Sequence, residues 1–501
     1  MTGDGDQDLL LVNGAWWPGS HVSEPPPTMA LYTNDGGGQF RNVSATAGLD
    51  VSLYGLGVAV GDYDNDGDRD LFVAALGENR LFENEGSHFR DVTGSSGVAG
   101  GEFAWSSSAG FFDYDNDGDL DLFVCNYVNW SKEIDSRLNF TLNGRDRSYG
   151  PPINYEGTFP YLYRNDGGGR FTDVSAQAGV QVVNPTTGKP MAKALALSFI
   201  DVDRDGFLDV FVANDTVRNF LLHNLGKGTF EEIGTVAGVG FDGNGNATGA
   251  MGIDVAHYRN DDQIAVGIGN FANEMSSLYV SQGDGLLFSD EAMGEGVGAP
   301  SRLFLSFGLF FFDYDLDGRL DMLQANGHLE KEISQVQASQ QYRQPAQLFW
   351  NAGSDARSCF VEVPRDQLGD LSRPVVGRAS TYADIDDDGD LDVLITQVGG
   401  RPLLLRNDQK LAHHWIRFKL TGTESNRDAI GSWIELQSGG GVQRRQIMPT
   451  RSYLSQSELP LTFGLGPSRE VHSVRVIWAD GTEQEIGPVK VGTVVEVVQR
   501  N

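Results

Sequence analysis

Nine residues, Asp113-Tyr-Asp-Asn-Asp-Gly-Asp-Leu-Asp121, constrain this chain more than any other stretch. Carboxylates stand at positions 1, 3, 5 and 9 of the phrase, with Gly118 at position 6. Odd spacing turns alternate side chains toward one centre, and glycine admits the positive φ that closes a tight loop. So many like charges in one turn repel unless a hard cation sits among them or some carboxyls keep their protons. The phrase returns at Asp62–Asp70, Asp201–Asp209, Asp313–Asp321 and Asp384–Asp392. A metal-free Asp/Gly turn has the same composition, but five repeats of one internal grammar favour the cation.

The expected side-chain ligands are Asp62, Asp113, Asp201, Asp313 and Asp384 at position 1, and Asp64, Asp115, Asp203, Asp315 and Asp386 at position 3. Asp66, Asp117, Asp205, Asp317 and Asp388 follow at position 5, and Asp70, Asp121, Asp209, Asp321 and Asp392 at position 9. Position 7 is Asp68, Asp119, Phe207, Arg319 or Asp390, a variability that fits ligation through the backbone carbonyl. Calcium is the expected ion at these five sites. Strand-like residues follow each loop at once and position 12 holds no Glu, which excludes a helix–loop–helix arrangement. A sixth copy, 257–265, places His257, Arg259, Asp261, Asp262 and Ala265 at positions 1, 3, 5, 6 and 9 and is expected to hold no metal. Either Arg259 supplies the positive charge there, or the loop has drifted to a plain turn. A seventh copy, at residues 1–8, keeps Asp4, Asp6 and Asp8 and is incomplete; its leading strand and any export signal are expected upstream.

Around these loops the chain repeats seven times. Each copy reads strand a (Leu56–Val60), cation loop, strand b (Asp70–Val73), strand c (Arg80–Asn84) and strand d (His88–Thr93). Asn, Asp and Gly between c and d are hairpin-turn residues. Four antiparallel strands per copy predict an all-β fold, a seven-bladed propeller over residues 1–412 with its first blade truncated at the N-terminus. Residues 413–501 then form a small all-β domain, with His413–Leu420 either its first strand or the last blade strand. Two insertions, Tyr127–Pro160 and Gly327–Ala346, join b to c and so emerge on the face opposite the cation loops. That face is expected to collect Trp16, Trp17, Trp130, Tyr127, Tyr155 and His328. Asparagine ends strand b in five copies, Asn13, Asn126, Asn214, Asn270 and Asn326, either as a ligand-binding rim or as a cap on its own backbone.

The formal net charge is −32, and residues 413–501 carry 10 basic and 9 acidic side chains, so the acidity belongs to the repeats. This argues against nucleic acid and anionic membrane as partners. The longest apolar run, Leu303–Phe312, is too short to span a bilayer. Two cysteines, Cys125 and Cys359, are too few for a disulfide framework, and Cys125 is expected to be buried and inert.

The loops and their Phe-containing strands resemble FG-GAP/VCBS repeats, as in integrin α-subunit propellers. Asn426–Gly431, Arg451–Ser455, Phe463–Gly466 and Val476–Gly481 look like an ASPIC/UnbV domain. Together with Asn214–Thr216 and Asn326–His328 they make the chain similar to the cartilage acidic protein 1 family, with a bacterial relative the expected source. The resemblance implies calcium-bound loops, an extracellular or periplasmic location, and a binding or adhesion role toward a glycan, protein or matrix component; it carries over no catalytic residue. The alternative it leaves open is an enzyme or accessory factor in enediyne-type secondary metabolism, for which His328 is the best lone acid–base candidate. The first insertion lacks a cysteine pair that bacterial relatives carry near Phe140 and Gly150, which removes an implied disulfide.

Overall fold

A computed structural model describes residues 5–16, 24–142, 144, 147–283 and 285–500; Trp17 and part of the loop at 1–8 lie outside them. Seven antiparallel sheets follow one another from Leu9 to Leu405, the middle five with four strands each. The first sheet holds strands b, c and d (Leu9–Leu11, Ala30–Asn34, Phe40–Asn42), and the seventh holds a, b and c (Gly377–Ala383, Asp392–Gln397, Leu403–Leu405). The fold is a β-propeller. Its innermost strands, such as Ser106–Phe112 and Ala194–Ile200, are buried throughout, and apolar clusters fill the space between neighbouring blades. Inner strands approach so closely that a Cβ on Gly57 or Gly252 would collide with the backbone carbonyl of Ser107 or Phe307 on the next blade.

At five of the seven junctions one amide latches a blade to the one before. The asparagine ending strand c donates its Nδ2 to the carbonyl of loop position 2 on the preceding blade: Asn165 to Tyr63 at 2.7 Å, Asn224 to Tyr114 at 2.8 Å, Asn351 to Tyr258 at 2.8 Å and Asn407 to Tyr314 at 2.7 Å. The first sheet reaches the seventh in the same way, through Asn34 to Ile385 at 2.7 Å, which closes the ring. Read in the sequence as turn residues, these asparagines prove to be joints between blades.

The C-terminal segment forms two small sheets. His414–Thr421 pairs antiparallel with Leu461–Gly466 and parallel with Val494–Val498, so it belongs here and not to the seventh blade. Trp433–Ser438, Gly441–Gln446, Val471–Ile477 and Glu483–Ile486 make the second sheet. The two pack through Phe418, Phe463, Ile434 and Val476. This unit sits on the cation-loop face, a placement the sequence did not reveal. It touches the loops of the second to seventh sheets: Asp428 Oδ2 accepts from Asp62 N, Glu424 lies over Gly118, and Gly431 packs on Leu208. Arg444 pairs with Asp262, Arg445 donates to Gly318 O at 3.2 Å, and Arg417 meets Asp384 at 2.7 Å.

From the same unit a short hairpin, Thr450–Arg451 paired with Ser455–Gln456, enters the central channel. Ser452 exchanges backbone hydrogen bonds with Ile253 of the fifth inner strand, and its hydroxyl meets Leu309 N of the sixth and Ser380 of the seventh. Arg451 pairs with buried Asp254 at 3.1 Å, and Gln456 donates to Ala109 O of the third blade. At the tip, Tyr453 packs among Leu195, Met251, Leu305 and Phe307. The Arg451–Ser455 phrase is therefore a channel plug.

The two insertions leave from the opposite face and meet above it, where Tyr149 N donates to Glu330 Oε1 at 2.8 Å. Where relatives were expected to carry a disulfide, Phe140 lies on Gly150, closely enough that a Cβ there would collide with the ring. Both cysteines are buried and free; burial pushes the Cys125 thiol far up and holds Cys359 at about 12.

Candidate metal centres and the opposite face

All five complete loops share one hydrogen-bond scheme. The position-1 carboxylate accepts from the glycine N–H at position 6, at 2.9 Å in Asp62, Asp113, Asp201 and Asp313 and 3.0 Å in Asp384. The position-5 carboxylate accepts from the N–H at position 7, as in Asp66 from Asp68 and Asp205 from Phe207. Position 9 accepts on both oxygens, Asp121 from Tyr114 N and from Asn165 N. The glycine takes φ between 92° and 103° in these loops. Position 4 takes a left-handed φ as well, near 60° at Asn65, Asn116, Arg204, Leu316 and Asp387. A buried leucine in that region is strained, so the loop geometry is imposed on Leu316 by its surroundings. Asn116 Nδ2 also reaches Gly206 O of the next loop at 2.9 Å.

The donor set fits a hard cation. In three loops the position-3 carboxylate is held from outside by the residue before a latch asparagine. Trp350 Nε1 donates to Asp315 at 3.1 Å, Arg406 pairs with Asp386 at 3.1 Å, and His223 Nε2 lies 3.6 Å from Asp203. Such outer partners orient metal ligands. Meanwhile one oxygen of Asp115, Asp203, Asp313, Asp384 and Asp386 is buried with no hydrogen-bond partner, a costly condition for a carboxylate. Burial first, then the neighbouring carboxylates and backbone donors, set the carboxyls at about 7 in Asp113, 8 in Asp70 and 8 in Asp313. Within reach of one ion lie Asp62, Asp64 and Asp66; Asp113, Asp115 and Asp121; and Asp313, Asp315 and Asp321. His223 joins Asp203 and Asp209 in a further group that the loop grammar alone did not contain.

At position 7, Arg319 turns outward to Asp317 and Asn351 O and over the Trp350 ring, in keeping with a backbone role for that position. In the sixth copy, His257 donates Nδ1–H to the position-7 carbonyl of Gln263 at 2.8 Å. Burial lowers its pKa to about 4, so the ring is neutral. Arg259 turns away to Glu291 at 2.7 Å and Glu295, so of the two readings the one in which its charge fills the loop centre is corrected, and a histidine hydrogen bond closes the turn.

On the opposite face the amide ring closes on itself. Asn126, Asn214, Asn270 and Asn326 are at most 2% exposed. Each bridges strand a to the start of strand c: Asn326 accepts from Ser306 Oγ and donates to Pro345 O, and Asn126 accepts from Ser106 Oγ and donates to Phe159 O. They are braces, and the rim reading is corrected for these four. Asn13 donates to Thr28 O, and Trp16 remains 43% exposed with Nε1 on Pro25 O. His328 is buried, accepts Glu330 N on Nδ1, and is held at about 4 by burial and by Arg378; it is no exposed acid–base group. His413 and His414 turn apart, to Asp315 O and Arg469. Trp130 stacks edge-on with Trp105, and Trp105 with Tyr127, forming an aromatic wall.

Comparison with known proteins agrees with this architecture. The FG-GAP-like repeat profile matches residues 1–73, 62–124 and 201–266, and the ASPIC and UnbV profile matches residues 422–501. The chain is an FG-GAP repeat β-propeller joined to an ASPIC and UnbV segment. Within that class it is related to cartilage acidic protein 1, being 26% identical to the mouse and human proteins over 337 residues. The match covers 65% of this chain but only 47% and 46% of those relatives, about half their length. Among solved structures, an Agrocybe aegerita lectin overlaps 76% of this chain and 88% of its own, at 14% identity and a TM-score of 0.43. No helix among the described residues is long and apolar enough to cross a membrane.

Proposed function

We propose that this chain is a calcium-rigidified extracellular or periplasmic binding module whose partner, a glycan or protein, docks on the face opposite the calcium loops. The buried, unpartnered carboxylate oxygens at loop positions 1 and 3 carry the reading. They need a cation, and oxygen-only ligands at odd spacing around a glycine turn suit calcium, while magnesium demands a tighter octahedral shell. Loops of this kind bind calcium with Kd of roughly 10⁻⁴–10⁻³ M in extracellular modules, which suits surroundings where calcium is near millimolar. Recognition falls to the other face because the C-terminal unit covers the loops, whereas both insertions and the aromatic wall are presented on the far side. Connecting segments on a rigid scaffold are where binding residues gather. Equilibrium dialysis of the chain against labelled calcium, at free concentrations well above that Kd, tests the first half: about five calcium ions per chain are expected, one fewer in Asp115→Ala, and none assigned to residues 257–265. A count of zero, or a count unchanged by that substitution, contradicts it. A glycan array and surface pull-down, repeated with Trp130→Ala, test the second half.

A further inference from the structure

Arg378 stands on the seventh inner strand, at the channel mouth opposite the calcium loops. Its guanidinium lies 4.0 Å over the Phe307 ring, beside the plug tip Tyr453. Nη1 donates to Gly377 O at 2.7 Å and Gly327 O at 3.0 Å, and Nη2 reaches His328 O at only 3.5 Å. Nε has no hydrogen-bond partner among the described residues. Three other largely buried arginines meet carboxylates directly, Arg259 with Glu291 and Glu295, Arg417 with Asp384 and Glu458, and Arg451 with Asp254; a fourth, Arg445, pairs with none but lies in the field of Asp313, Asp317 and Asp321. Arg378 meets none. Burial pulls its pKa down, and the ionisable groups acting against that pull are tyrosines: Tyr453 from the plug, Tyr342 and Tyr149 from the two insertions. A desolvated guanidinium without an anion is unfavourable, and in a chain of net charge −32 the absence of a carboxylate here is notable. The open Nε/Nη2 edge is one of the two edges on which arginine forks a carboxylate.

We propose that Arg378 anchors the carboxylate of an acidic sugar at this mouth, a refinement that rests on the opposite-face reading above. The surrounding groups fit a sugar ring: aromatic faces for stacking, and the hydroxyls of Tyr149, Tyr342 and Tyr453 for its oxygens. The strongly negative repeats disfavour a polyanion, so one carboxylate per bound unit is the charge this site takes.

Titrating the calcium-loaded full chain with glucuronate, glucose and acetate, read by calorimetry, tests the proposal. Glucuronate should bind about tenfold more tightly than either glucose or acetate, the size of effect a charge-assisted fork adds to sugar contacts. Arg378→Met should reduce glucuronate to the glucose level without changing the calcium count. Should that variant fail to fold, Tyr149→Ala, at a residue 69% exposed, should still weaken glucuronate several-fold. Equal affinity for glucuronate and glucose, or for glucuronate and acetate, or glucuronate binding untouched by Arg378→Met, overturns it. Glucuronate binding lost in Asp115→Ala but kept in Arg378→Met would place the sugar on the cations and overturn the face assignment as well. Kept in both, it removes only the role of Arg378.

Discussion

At the scale of single residues, a few side chains decide what each loop can hold. Asp115 has one buried oxygen without a hydrogen-bond partner, at the loop position where the proposed calcium would take it as a ligand. Asp115→Ala should therefore remove one calcium and its share of stability, about 1.4 kcal/mol at about 1 mM calcium and a Kd of about 10⁻⁴ M; equal melting of variant and parent in calcium would speak against it. His328 gives a pH signature on the other face. Its folded pKa, about 4, lies below the ordinary histidine value because burial and Arg378 disfavour the charged ring. A histidine depressed in this way contributes full stability above the unfolded value near 6.5 and loses it as pH falls from there toward 4, because the unfolded chain takes up the proton first. Urea titrations of His328→Gln and parent should converge as pH falls through that window; a gap that does not change with pH contradicts the burial. The candidate cation ligands were legible in the sequence because metal chemistry, where it acts, fixes residue type at fixed spacing. Arg378 was not, since an unpaired arginine looks like any other until its neighbours are known.

Among the elements, the strand-c asparagines do more than turn the chain. Asn351 donates to Tyr258 O of the neighbouring blade and to Leu320 O at 2.9 Å, and accepts from Gly353 N at 2.9 Å, all around a buried side chain. Asn351→Ala leaves two buried carbonyls short of a donor, at about 1–3 kcal/mol each. The predicted loss is about 2–4 kcal/mol by denaturant unfolding, and a loss under about 0.5 kcal/mol would show that the latch is dispensable. The strands themselves could be read from alternation and turn residues, and Arg80–Asn84 falls where the repeats place it. The latch could not, because its acceptor lies 93 residues away in Asn351 and 351 residues away in Asn34. For the strand-b asparagines, the same local chemistry that suggested a rim or a cap resolves as an internal brace, since each amide finds both partners within its own blade.

The whole molecule is one mechanical unit, with the C-terminal sheets seated on the loops and their hairpin threaded into the channel. Arg417, Arg427, Arg444 and Arg445 read in the sequence as ordinary charges of a balanced domain, yet each lies against a loop of the propeller. That docking depends on the tertiary meeting of distant segments, which no repeat period encodes. The coupling predicts a single cooperative transition for propeller and C-terminal unit together, and Tyr453→Ala, which empties the plug tip, should lower the stability of both by about 3 kcal/mol. Five sites contributing about 1.4 kcal/mol each amount to about 7 kcal/mol, comparable to the net stability of a typical domain. The most direct measurement is calorimetric melting of the full chain in millimolar calcium and in excess chelator. With an unfolding entropy of about 2.1 cal/mol/K per residue, the whole transition should move down by about 7 °C in chelator and return when calcium is restored. A melting temperature that chelation leaves unchanged would mean that the loops hold themselves together without calcium.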